Sequence, residues 1–121
     1  MRTWVLRIRA ADQAVFAALV DGRKRVETRA GSAAPRGYRH VQPGDTLLFL
    51  CGNQRLRRVV TRVTIYPSVE ALLAAEDYRA ILPDARSPAD VAALYTGIPG
   101  YPERIARYGL IAMELALAPA T

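Results

Sequence analysis

At 121 residues, with 17 Lys+Arg against 11 Asp+Glu and a formal net charge of +6, the chain is long enough to bury its own core, and one domain over residues 1–121 is expected. The positive balance favours anionic partners, nucleic acid first among them. Cys51 is the single cysteine and His40 the single histidine, which excludes an intrachain disulfide and the usual zinc spacings; no metal or other cofactor is expected. Residues 1–9 carry charges where a secretory signal has its apolar core, and no apolar run is long enough to span a bilayer. A cytoplasmic protein without a membrane partner is the expectation.

Taken in order, Trp4, Leu6 and Ile8 alternate with Val5, Arg7 and Arg9, the period of a strand with one buried face. Asp12 is placed to cap a helix whose apolar positions are Val15, Phe16, Leu19 and Val20, with Gly22 as its left-handed C′ residue. A second strand follows through the basic segment ending at Arg29. Residues 30–42 read as a long polar loop that carries Arg36, Tyr38, Arg39 and His40. Pro43-Gly44 suits a type II turn, and Thr46 to Cys51 is apolar on both faces, as in a strand inside a sheet or barrel.

Gly52-Asn53 reads as a hairpin turn into a long strand over residues 55–65, where simple alternation puts Arg58 and Arg62 on one face. Ser68 caps a helix through Leu72, Leu73 and Glu76, which Leu82-Pro83-Asp84 breaks. Ser87-Pro88-Ala89-Asp90 starts another helix with Val91, Leu94 and Tyr95 at helical spacing. Residues 97–101 read as irregular, and residues 109–117 as a closing strand with Ile111, Met113 and Leu115 on one side. Five or six short strands with about three small helices point to an α+β, barrel-like domain.

The segment Gly22-Arg23-Lys24-Arg25-Val26-Glu27-Thr28-Arg29 is the most site-like stretch, a lone acid among four cations. On a strand, Arg25, Glu27 and Arg29 share one face, Val26 and Thr28 the other, with Lys24 at the entry close to Glu27. Neighbouring cations hold such a carboxylate ionised and leave positive charge for a phosphate or other anion. Simpler roles exist for each residue: a strand-surface ion pair for Glu27 and Arg29, and a cation at a helix C-terminus for Lys24. Arg55, Arg57, Arg58 and Arg62 fit either a solvated strand face or an extension of a basic groove. Lys24 is the only lysine; every other cation is arginine, the better fork for phosphate and the better stacker on bases. Because an arginine- and alanine-rich coding bias gives the same composition, charge raises nucleic-acid binding without establishing it.

Gly22, Lys24, Glu27 and Arg29 match the G-x-K-x-x-E-x-R pattern of the ASCH family (activating signal cointegrator homology). Pro43-Gly44-Asp45 before an apolar strand, then Ser68, Glu70 to Glu76, Ile81-Leu82-Pro83 and Tyr108-Gly109-Leu110-Ile111-Ala112, resemble that family in order and spacing. The resemblance implies a PUA-like β-barrel with helices at its ends, and binding of RNA or a nucleotide-like anion in a groove beside the K-x-x-E-x-R segment. On that reading the ligand-binding residues are Gly22, Lys24, Glu27 and Arg29, assisted by Arg36 and Tyr38 from the long loop. The family's small hydrolases use a lysine with a threonine three residues on. Here Glu27 stands at that position, and Thr28 is one residue off and on the other face. A hydrolase of acylated nucleosides or RNA, with Lys24 and Glu27 as an acid/base pair, is therefore the alternative; a coactivator-like protein-interaction module is a third.

Overall fold

A computed structural model describes residues 1–116. Five strands form one curled sheet in the order β1-β3-β4-β5-β2: β1 (Thr3–Arg7), β2 (Val26–Ala30), β3 (Thr46–Cys51), β4 (Gln54–Tyr66) and β5 (Leu110–Leu115). β1 runs parallel to β3, and every other neighbouring pair is antiparallel. The result is a small α+β half-barrel, with β1 and β2 as its two edges. The predicted closing strand ends at Leu115; Leu117, its last predicted residue, lies outside the described residues.

Two apolar layers hold the sheet. Inside the curl, Leu6, Leu47, Phe49, Val60, Ile111 and Met113 meet Phe16 and Leu19 of α1 (Gln13–Val20). Outside, only the β2–β5 half is covered. Val26, Ala30, Leu110 and Ala112 pack there against α2 (Val69–Ala75), α3 (Tyr78–Ile81), α4 (Pro88–Thr96) and α5 (Tyr101–Tyr108) through Leu72, Ile81, Val91, Tyr95 and Ile105. Alternation in β5 separates the layers: Ile111 and Met113 point in, Leu110 and Ala112 point out.

The turns follow their chemistry. Gly22 (φ +83°) stops α1, Gly44 (φ +94°) completes the Pro43-Gly44 turn, and Gly52 (φ +56°) opens the hairpin between the paired Cys51 and Gln54. Ser68 accepts a hydrogen bond from the Ala71 amide and caps α2.

Three expectations are corrected. Five helices form rather than about three, because the short α3, capped by Asp77, and α5 carry little apolar periodicity; α5 follows the Gly-Pro-rich stretch that read as irregular. Asp12 precedes α1, but its carboxylate pairs with Arg9 instead of capping the helix. Arg58 and Arg62 do not share a face. The register of β4 shifts between Val60 and Arg62, so Val60 pairs with Leu115 and Arg62 with Glu114, one residue back. This bulge at Thr61 reverses the alternation of everything after it. Arg58 consequently points inward, buried, and donates to the Leu19 and Val20 carbonyls at the end of α1. Arg62 points outward and pairs with Glu76 at 2.8 Å and Glu114 at 3.2 Å, while the Tyr66 hydroxyl also donates to Glu76.

Candidate nucleic-acid interface

The open seam between β1 and β2 gathers most of the residues singled out in the sequence. Glu27 and Arg29 pair with Met113 and Ile111, whose side chains point into the curl, so both share its inner face. Arg25 does not join them: it precedes the strand and pairs with Asp77 at 3.8 Å. Glu27 lies between two cations, with Lys24 Nζ 3.6 Å from Oε1 and Arg29 Nη2 3.3 Å from Oε2; the Thr28 amide donates to Oε1 at 2.9 Å. Burial alone would raise the Glu27 carboxyl, but the Lys24 and Arg29 charges and the Thr28 amide hold it below the usual glutamate range.

Lys24 is 5% exposed, and its ammonium donates to the carbonyls of Val26 (3.0 Å) and Ile81 (2.6 Å). Burial pushes it below the ordinary lysine range against the pull of Glu27. Its contacts tie the entry of β2 to α3, and it reaches the seam only through Glu27. Gly22 contributes conformation, turning the chain from α1 towards Lys24. Thr28, on the opposite face as expected, shares a 2.6 Å hydrogen bond with the Tyr95 hydroxyl, whose pKa burial raises.

Arg29 is half-buried and leads outward. Its guanidinium lies 5.5 Å from the centre of the Tyr38 ring, Tyr38 is 6.3 Å from Trp4, and Arg2 lies 5.5 Å over Trp4. Cation, ring, ring and cation thus run from one edge strand to the other, and Tyr38 occupies the gap that no backbone ladder closes. Arg36 joins at the far end, lining an open cleft of about 430 Å³ with Arg2, Thr3, Trp4 and Val5. Lys24, Glu27, Arg29 and Tyr38 therefore form one contiguous cluster, and Arg36 stands beyond Trp4.

Two members of this row escape a reading by residue type. Trp4, expected in the core, is only partly buried; Asp45, read as turn chemistry, is buried beneath it. The Asp45 carboxylate accepts from the Trp4 indole, the Arg2 amide and the Gln42 amide, each at 3.0 Å. Arg2 and Trp4, two apart at a strand start, carry a period-2 cation–aromatic signal that could have marked this face. Burial would raise the Asp45 carboxyl, but the Arg2 and Gln42 amides and the Trp4 indole outweigh it and hold it low. A depressed carboxylate stabilises the fold above its unfolded value, about 3.9, and loses that contribution as pH falls through the folded value. Asp45→Asn sets an amide donor against those donors, and a loss of about 1–3 kcal/mol at pH 7 is expected. Urea titrations should show the gap to wild type closing below about pH 4.

The fold and this seam define a class: small α+β half-barrels with a polar row bridging their two edge strands. No family model matches the chain, and no curated protein does. Solved structures do. The crystal structure of the hypothetical protein PH0355 is similar with a TM-score of 0.77 and 25% identity, over 93% of this chain and 96% of that one. The solution NMR structure of PF0455 from Pyrococcus furiosus gives a TM-score of 0.69 at 25% identity, over 93% and 94%. No helix among the described residues is long and apolar enough to cross a membrane.

Proposed function

We propose that the chain is an ASCH-type, PUA-like half-barrel that binds RNA, or a nucleotide-like anion, at the seam. The Arg2–Trp4–Tyr38–Arg29 row carries this reading, because alternating rings and guanidinium groups offer stacking faces for bases and forks for phosphates side by side. Arg36 adds a cation along the adjoining cleft. Glu27 orients Arg29, and Lys24 sets Glu27, so both act as positioning residues and leave ligand contact to Arg29, Arg36 and Tyr38. A hydrolytic role for Lys24 and Glu27 is less well served: the carboxylate is held ionised by two cations, which weakens it as a base, and two carbonyls occupy the ammonium.

Fluorescence anisotropy of a labelled single-stranded RNA, over a salt series, tests the assignment. Arg36→Ala/Tyr38→Leu keeps an apolar group in the seam while removing one ring and one cation. Its affinity should fall roughly 10- to 100-fold, from a stacking loss of ~1–3 kcal/mol per base, with a shallower salt slope. Unchanged affinity in a folded variant would leave only general basicity and refute the seam as the binding site.

A further inference from the structure

The outer face of the β1-β3-β4 half, which no helix covers, has a composition that the seam does not explain. Register places three rows on it: Thr3–Thr46–Val59, Val5–Leu48–Arg57 and Arg7–Leu50–Arg55. Three arginines therefore surround a short apolar strip in which Val5 is 47% and Val59 46% exposed. All three are exposed, and none enters an ion pair among the described residues, whereas Arg9, Arg23, Arg25, Arg29 and Arg62 each have a carboxylate partner. β1, β3 and β4 contain no Asp or Glu at all. Arg55 and Arg57 sit two apart on one strand, and Arg7 lies in the Arg55 row two strands away, so like charge is concentrated without local neutralisation.

This face also connects to the seam. Val5 and Thr3, its edge positions on β1, line the same cleft as Arg2, Trp4 and Arg36. β1 is the sheet edge, so nothing in the sheet stands between the cleft and the outer face.

We propose that Arg7, Arg55 and Arg57 form a second phosphate-binding surface, continuous with the seam around the β1 edge, that holds the backbone of nucleotides flanking those stacked on Tyr38 and Trp4. The partner chemistry is a single-stranded polyphosphate backbone, since three unpaired guanidinium groups with no acid among them complement a regularly spaced anion. The placement rests on the RNA-binding reading of the seam but adds a length requirement to it: a short strand fills the seam alone, and a longer one also reaches the outer face.

The test uses the full chain and single-stranded RNAs of roughly 4 and 16 nucleotides, the range of footprints on small barrels. Arg7→Gln/Arg55→Gln/Arg57→Gln changes only exposed side chains, and its folding is checked by its melting temperature. The triple variant is expected to bind the short RNA like wild type and the long one about ten-fold more weakly. Its log–log salt slope for the long RNA should be lower by about 2, from ~0.7 per lost phosphate contact. Equal affinity and slope on the long RNA would overturn the outer-face proposal and leave the seam standing. Loss in the triple variant with no loss in Arg36→Ala/Tyr38→Leu would keep the outer face and overturn the seam. No binding of the long RNA by wild type would overturn both.

Discussion

Glu27→Gln is expected to cost about 3–5 kcal/mol of folding stability, roughly 10–20 °C in melting temperature for a domain of this size, while Lys24→Met costs much less. The asymmetry comes from what each change leaves behind. Glu27 is the carboxylate that Lys24 and Arg29 share, and Lys24 is 5% exposed with no other anion paired to it among the described residues. Removing the charge at Glu27 strands a buried ammonium. Removing Lys24 leaves Glu27 with Arg29 and the Thr28 amide, and methionine fills much the same volume.

The double variant should recover most of the Glu27→Gln loss, which a double-mutant cycle in urea measures directly. The pH dependence follows from the two depressed groups. Glu27 stabilises the fold above its unfolded value, about 4.3, and that contribution disappears as pH falls through its folded value. Burying the charged Lys24 is unfavourable, so its cost fades as pH rises from its lowered folded value towards the unfolded one, about 10.4. Without Glu27 the ammonium is depressed further, and Glu27→Gln should regain stability on alkalinisation from a lower pH than wild type does. Equal losses in both single variants would show that the pair is not the counter-charge unit its geometry describes.

A second large effect is expected at the junction of α5 and β5. Gly109 has φ +87° and ψ 174°, a region that essentially only glycine occupies, and a Cβ there would lie 2.7 Å from Ile65 Cγ2 and 3.0 Å from the Tyr66 carbonyl oxygen. Gly109→Ala combines backbone strain of ~1–3 kcal/mol with overpacking of similar size, and a loss of about 3 kcal/mol or more is expected. Gly100→Ala is the matched control. Its φ is +81°, but a Cβ would meet nothing within 4 Å, so strain of ~1–2 kcal/mol acts alone. Thermal melts of the two variants separate the contributions; equal melting temperatures would mean that Ile65 and Tyr66 move aside freely. Gly31 belongs to the same junction: its amide donates to the Gly109 carbonyl at 2.8 Å, and its own Cβ would fall 2.7 Å from the Tyr108 carbonyl oxygen. β2 therefore meets α5 backbone to backbone, which fixes the strand that carries Glu27 and Arg29.

Where local chemistry dominates, the sequence is readable. Gly22, Pro43-Gly44, Gly52-Asn53, Ser68 and Ser87-Pro88 each mark the start or stop that forms, and Ile111, Met113 and Leu115 lie on one side of β5 as alternation predicts. The grouping of Lys24, Glu27 and Arg29 is readable for the same reason, since all three lie within six residues. What escapes is non-local. Lys24 reads as a solvated cation until Ile81, 57 residues later, supplies a carbonyl for it. Asp45 reads as a turn acid until Arg2 and Trp4, more than 40 residues earlier, set their donors on it. The pairing of Arg62 with Glu76 and Glu114 depends on one unpaired residue in β4, and alternation counted along the chain cannot anticipate it.

That single residue has a wider meaning for how the chain can vary in length. β4 belongs to both halves of the sheet, pairing with β3 before Thr61 and with β5 after it. Deleting one residue there is not a local trim: it exchanges inside and outside for the rest of the strand, turning Arg62 towards the apolar interior and Val63 towards the helices. Loops such as the one carrying Arg36 can gain or lose residues without altering any parity. Length changes therefore belong in the loops, and the middle of β4 acts as a counting frame for the whole barrel.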